Sequence, residues 1–77
     1  MMKDLIEFVA KSLVDAPDSV EVTEFGDDEA SIIKLKVSKD DLGKVIGKKG
    51  RTAKAMRTIL SAAALKVSKR STLEIIE

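Results

Sequence analysis

Hydrophobic residues recur at spacings of three and four in two parts of the chain, which is typical of amphipathic helices. The first pattern predicts a helix over residues 3–15, which ends near Pro17 because proline disfavours helical geometry in the residue before it. The second predicts a longer helix over residues 51–66. Between them, Ser38-Lys39-Asp40-Asp41 matches a capping box, in which the Ser38 hydroxyl accepts an amide hydrogen bond and Asp41 reaches back, so a short helix is expected to begin there.

Three other segments alternate apolar and polar residues with the period of a half-buried strand. They cover residues 19–25, 30–37 and 72–76, and the turn Gly26-Asp27-Asp28-Glu29 joins the first two into a hairpin. The positions expected to face the core in the second and third strands are Ile33, Leu35, Val37, Leu73 and Ile75.

The predicted order is therefore helix, strand, strand, helix, helix, strand. A crossover through two helices normally sets the strands that it connects parallel and leaves the helices on one face of the sheet. We expect an α+β fold in which three helices cover one face of a three-stranded mixed sheet. A chain of 77 residues can build one modest core, so residues 1–77 are predicted to form a single domain.

The composition narrows the class of protein. Hydrophobic residues make up 44% and charged residues 35%, which is too apolar for a disordered tail and too charged for a membrane span. The chain has no cysteine and nothing that resembles a signal peptide, so we expect a soluble cytoplasmic protein. Since histidine, cysteine, tyrosine and tryptophan are all absent, the commonest general bases, nucleophiles and zinc ligands are missing. Neither an enzyme nor a metal or cofactor site is expected.

Charge is segregated along the chain although the net charge is only +1. Residues 1–33 contain two bases against nine acids, whereas residues 34–77 contain twelve bases against four acids. Between residues 42 and 70 there are nine lysines and arginines and no acid. A block of one sign attracts polyanions, although such runs are more often simply solvated helix faces. The position of this block around a glycine-containing loop favours the first interpretation.

The loop Gly47-Lys48-Lys49-Gly50 lies between the two predicted C-terminal helices. Glycines permit close approach of a ligand backbone, and the first amides of the next helix are favourable for anions, so the natural ligand is a phosphate. A nucleotide-hydrolysing P-loop is excluded by spacing. That motif needs four residues between its glycines and then Lys-Ser or Lys-Thr, whereas three residues separate Gly43 from Gly47 and Lys48-Lys49 follows.

The stretch Val45-Ile46-Gly47-Lys48-Lys49-Gly50 resembles the V-I-G-x-x-G signature of KH domains, and the order of elements resembles their type II topology. The longer stretch over residues 41–57, with Leu13-Val14-Asp15-Ala16-Pro17-Asp18 and Ala62-Ala63-Ala64, is similar to the KhpA family of small stand-alone bacterial KH proteins. The likeness covers nearly the whole chain.

The resemblance implies that the chain binds single-stranded RNA in a groove for about four unpaired nucleotides. Val45 and Ile46 would form the floor of the groove, and Ala53 and Ala55 would line its helical wall. Lys66 and the backbone of residues 73–75 are further candidates on the far side. The residues expected to contact RNA are Lys44, Val45, Ile46, Gly47, Lys48, Lys49, Gly50, Arg51, Lys54, Lys69 and Arg70.

Sequence selectivity is expected to be low, because Phe8 and Phe25 are the only aromatic residues and both fit core positions, which leaves no ring for base stacking. The family resemblance also implies a homodimer, or a pair with a KhpB-like (Jag/EloR-like) KH protein, acting as an RNA chaperone or post-transcriptional regulator. The long helix could supply the dimer face through Met56, Ile59 and Leu60, unless these residues belong to the core.

Two other functions fit parts of the pattern. Two helices that meet at a glycine turn beside basic residues could form a DNA-binding helix-turn-helix, although the flanking strands and the V-I-G-x-x-G stretch favour a KH domain. The chain could also be a protein-interaction module whose RNA binding is vestigial.

Overall fold

The computed structural model describes residues 2–27 and 29–77, and it confirms the predicted α+β fold. Met1 and Asp28 lie outside the described residues, so the turn predicted at residues 26–29 is described only in part. Three helices and three strands follow one another in the expected order. They are α1 (Met2–Leu13), β1 (Glu21–Gly26), β2 (Ala30–Lys36), α2 (Leu42–Ile46), α3 (Arg51–Lys66) and β3 (Arg70–Ile76).

The strands form one mixed sheet in the order β1-β2-β3. β1 pairs antiparallel with β2, as the short turn between them requires, and β2 pairs parallel with β3 across the α2–α3 crossover. β3 is therefore an edge strand, and the edge that faces away from β2 is not paired with another described strand.

The core lies between the sheet and the helices. Ile33 and Leu35 on the central strand have no exposed surface, and Leu73 on β3 is buried beside them. α1 contributes Ile6 and Ala10 to the same core. The helical period of α3 delivers every third or fourth side chain to it, namely Ala53, Met56, Leu60 and Ala64.

Both aromatic residues are exposed, so the prediction that they belong to the core was wrong. Phe8 is 72% exposed on α1 and Phe25 is 53% exposed on β1. In each case small or aliphatic neighbours fill the core instead: Ala10 and Ile6 face inward from α1, and Val22 does so from β1. On α1 the buried stripe is rotated from the one predicted, whereas on β1 the alternation of the strand places Phe25 on the face opposite Val22.

The structure also settles the question left open for α3. Met56 and Leu60 are core residues and offer no surface to a partner, whereas Ile59 is 47% exposed. None of the helices within the described residues has the length and apolar character needed to cross a membrane.

Candidate nucleic-acid interface

The loop between α2 and α3 has a backbone that glycine makes possible. Gly47 and Gly50 have φ angles of 78° and 73°, and Lys49 between them has a φ of 56°. A Cβ atom on Gly47 would lie 2.2 Å from the Thr52 hydroxyl oxygen and 2.9 Å from the Thr52 amide nitrogen, so no side chain fits there. At Gly50 the surrounding space is open, and only the positive φ favours glycine.

Backbone hydrogen bonds tie this loop to α2 and close it on itself. The Gly47 amide donates to the Gly43 carbonyl at 2.8 Å, and the Gly50 amide donates to the Gly47 carbonyl at 3.1 Å. α3 begins at the next residue, Arg51, and no described side chain caps its amino terminus. The Arg51 amide itself donates to the Lys48 carbonyl, and the helix dipole favours a negative charge at this end of α3.

Four cations surround the loop, and all are exposed. Within the part of the chain that the structure describes, no carboxylate forms an ion pair with Lys48, Lys49, Arg51 or Lys54. Their charges are therefore not neutralised by any of the described carboxylates. Together with the amino-terminal end of α3, they concentrate positive charge at this corner of the molecule.

Lys44 differs from these four cations. Its ammonium forms a close ion pair with Asp15, and it lies 3.8 Å from an oxygen of Asp41. The hydrogen bond to Asp15 raises the pKa of Lys44, while partial desolvation opposes the rise. The charge of Lys44 is thus already balanced, which the sequence did not reveal because Asp15 is distant along the chain.

Asp41 joins the end of α1 to the start of α2. Its carboxylate is only 2% exposed and accepts the backbone amides of Asp15 at 3.2 Å and Ala16 at 3.0 Å. Ser38 donates its hydroxyl to the same carboxylate at 3.1 Å and caps no helix, so the predicted capping box was wrong. The motif Leu13-Val14-Asp15-Ala16-Pro17-Asp18 thus includes the two amides that hold α2, and with it the loop, in place.

Replacing Asp41 by Asn should lower the melting temperature at neutral pH, because an amide has one acceptor oxygen and leaves a partly buried backbone amide without its acceptor. Burial opposes ionisation of Asp41, but the amides of Asp15 and Ala16, the Ser38 hydroxyl and the Lys44 charge hold its pKa below the ordinary 3.8. The stabilisation is therefore complete above that ordinary value and is lost as the pH falls through the lower folded-state pKa.

Circular dichroism melting curves over this pH range measure the effect, and the wild type and Asp41→Asn should converge at the acid end. Asp27→Asn is a matched control, because Asp27 also accepts two backbone amides, at 2.9 Å each, but in the exposed β1–β2 turn. It should lower the melting temperature less than Asp41→Asn does. A constant difference between wild type and Asp41→Asn at every pH would contradict this assignment.

The apolar residues predicted for the groove divide into buried and exposed sets. Val45 is fully buried in the core and Ala53 is nearly so. Neither side chain can contact a ligand on the surface, and both contribute only by fixing the positions of α2 and α3. Ile46 and Ala55 are exposed on α2 and α3. They provide the apolar surface beside the loop.

Lys66, Lys69 and Arg70 lie at the far end of α3. This helix has 16 residues, so its ends are separated by roughly 22 Å at the usual rise per residue. Lys69 is half-buried and lines a cavity with Glu24 and Asp27, whereas Arg70 is exposed at the start of the edge strand. The predicted site residues therefore form two groups, one around the loop and one at this far rim.

A glycine loop of this shape between two helices, packed on a mixed sheet with parallel β2 and β3, defines a type II KH domain. The family model described as "KhpA/KhpB, KH domain" matches residues 3–75, and the chain belongs to this family.

Curated relatives match over almost their full length. The chain is 56% identical to the RNA-binding protein KhpA of Clostridium acetobutylicum over 75 residues, which are 97% of this chain and 100% of the relative. It is 51% identical to that of Aquifex aeolicus over 99% of this chain and 96% of the relative. With that of Listeria monocytogenes, the identity is 49% over 99% of this chain and 100% of the relative.

Proposed function

We propose that the protein binds single-stranded RNA and that the loop Gly47–Lys48–Lys49–Gly50 grips the RNA backbone. The observation that supports this most directly is the left-handed loop at the start of α3, surrounded by four cations that pair with no carboxylate among the described residues. The names of the relatives, which describe RNA-binding proteins, agree with it.

In this proposal the loop and the amino-terminal end of α3 bind one phosphate, and Lys48, Lys49, Arg51 and Lys54 bind its neighbours. Ile46 and Ala55 provide an apolar surface for the bases, and the edge of β3 that pairs with no described strand offers backbone donors and acceptors. Lys44 is held by Asp15, so it supports the loop and contributes less directly. Most contacts are to the backbone, so binding is sensitive to salt and tolerant of sequence.

The protein then acts without catalysis, as an RNA chaperone or post-transcriptional regulator in the cytoplasm. Filter binding with single-stranded RNA, single-stranded DNA and duplex DNA of equal length tests the ligand class. We expect the single strands to bind more tightly than the duplex, because the surface holds unpaired bases beside a phosphate clamp. A clear preference for duplex DNA would support the helix-turn-helix alternative instead.

An apolar strip on the helical side of the molecule supports dimer formation. Leu5 and Ala63 line a groove of about 250 Å³ between α1 and α3, together with Met2 and Val67. Residues three and four apart are neighbours on a helix surface, so Phe8 lies next to Leu5 on α1 and Ile59 lies next to Ala63 on α3. The apolar strip is defined by Leu5, Phe8, Ile59, Ala63 and Val67.

We propose that the apolar strip joins the protein to a second copy of itself or to a KhpB-like KH protein. A strip that includes Phe8 at 72% and Ile59 at 47% exposure is costly to leave in water, and small residues such as Ala62 and Ala63 allow close approach of a partner helix. Two linked loops would raise the affinity for one RNA strand beyond that of a single domain.

A further inference from the structure

The face of the sheet that points away from the helices is open. Side chains alternate across each strand, so the core residues Val22, Ile33 and Leu73 leave their neighbours on the outer face. Phe25 and Ile32 lie on this face, and they are 53% and 40% exposed. An exposed aromatic ring on this face offers a flat apolar surface to a planar ligand.

Phe25 belongs to a row of residues that crosses all three strands. It is paired in register with Ile32 on β2, which is paired with Thr72 on β3. The three residues line a shallow, largely apolar depression of about 330 Å³, together with Arg70 at its edge. The depression therefore combines an aromatic ring, a flat aliphatic floor and a cation.

Two cations are placed to receive phosphates beside this depression. The Lys34 ammonium lies 5.1 Å from the centre of the Phe25 ring, and its pair with Glu74 is long, at 3.9 Å, and exposed. Both contacts are weak at such exposure, so Lys34 is free to turn toward a bound anion. No described carboxylate forms an ion pair with Arg70.

Arg70 also connects this face to the far rim of the proposed groove. It lines the depression with Phe25, and it lines a second cavity with Leu65 and Lys69 beside the end of α3. An RNA strand that leaves the groove at the loop before β3 would pass Arg70 and reach Phe25. The acidic turn with Asp27 and Glu29 bounds the surface beyond that point and limits the contact to one or two nucleotides.

We propose that this outer sheet face is a second contact site for single-stranded RNA, in which an unpaired base stacks on Phe25 while Arg70 and Lys34 hold the flanking phosphates. The proposal rests on the proposed function for its ligand. Every base has a π face, so the contact raises the affinity and the number of nucleotides bound without adding sequence preference. Cations on two sides of a small apolar depression fit a nucleotide better than a protein surface, which would need a wider apolar patch.

The substitution Phe25→Leu tests this site, because it keeps an apolar side chain and removes the aromatic face. We expect it to weaken the binding of single-stranded RNA of about ten nucleotides by about fivefold or more, and to leave RNA of about four nucleotides unaffected. The RNA of about four nucleotides is the internal control, because it fills the groove without reaching Phe25. Ultraviolet crosslinking of the wild type to uridine-containing RNA should label the peptide that contains Phe25.

The possible failures are distinguishable. If the wild type binds no RNA, the proposed function itself fails. If it binds RNA but Phe25→Leu binds the longer RNA equally well and the Phe25 peptide is not crosslinked, only the second site is overturned. Equal RNA affinity together with loss of self-association in Phe25→Leu would overturn it in favour of a protein partner on this face.

Discussion

Reversing the two loop charges in Lys48→Asp with Lys49→Asp should reduce the affinity for single-stranded RNA by at least about tenfold at moderate salt. Both side chains lie at the uncapped start of α3 and have no carboxylate partner among the described residues, so they are available to phosphates. Each phosphate contact contributes about 0.7 to the slope of log affinity against log salt for a single strand, so the slope should fall by about 1.4. Fluorescence anisotropy over a salt series measures both quantities.

Two comparisons separate a loop effect from a general effect of charge. Lys3→Asp with Lys11→Asp changes the net charge equally on α1 and should reduce affinity far less. Gly47→Ala keeps every charge but places a Cβ against the hydroxyl and amide of Thr52, so the loop must distort and RNA binding should also fall. If the charge reversal on α1 lowers the RNA affinity as much as the charge reversal in the loop, the loop is not the RNA-binding site. Unchanged RNA binding in the loop variant would favour the protein-interaction module.

Introducing a charge at Ile59 should dissociate the proposed dimer. In Ile59→Lys an ammonium would be buried in the middle of the apolar strip without a partner, and removal of a charge from water costs several kcal/mol, or roughly a hundredfold or more in the dimer dissociation constant. Ile59 is half-exposed in the monomer, so the fold itself should be unaffected. Sedimentation equilibrium measures the dissociation constant, and circular dichroism checks the fold.

Leu65→Lys is the matched control for this variant. Leu65 is on the same helix and is 73% exposed, but it lines the cavity beside Lys69 and Arg70 and is not part of the apolar strip. It should leave the dimer intact. Dissociation by Leu65→Lys with no effect of Ile59→Lys would place the interface elsewhere on α3. If the wild type is monomeric and also fails to bind a KhpB-like protein, the apolar strip is not an interface.

Elements with a clear period were predictable because one side of each contacts the core. The predicted bounds of α3 agree with the observed bounds, Arg51–Lys66, and those of β2 differ by one residue at its end. The apolar residues of α3 follow the helical period closely, and those of β2 follow the period of a strand. α1 was harder. Its sequence has apolar residues on more than one face, so the rotation that buries Ile6 and Ala10 and exposes Phe8 is decided by the space left between the helix and the sheet.

The interactions that hold the proposed site were not predictable for a different reason. Asp41 and Ser38 match a local capping box, but their hydrogen bonds are made with each other and with Asp15 and Ala16, which are distant along the chain. Lys44 and Lys48 are both lysines in the same basic segment and cannot be distinguished from the sequence, yet Lys44 is paired with Asp15. A local pattern shows the type and position of a charged residue, and only three-dimensional packing determines whether that charge has a partner.

The sequence by itself determined the order of elements, the segregation of charge and the glycine loop, because periodicity, net charge and backbone freedom are local properties of the chain. The tertiary structure alone decided which apolar residues are exposed and which cations are paired. The strip along Phe8 and Ile59, the outer-face depression at Phe25 and the attachment of α2 through Asp41 all depend on residues that folding brings together. Their energies come from burial and from contacts between segments, which no local pattern specifies.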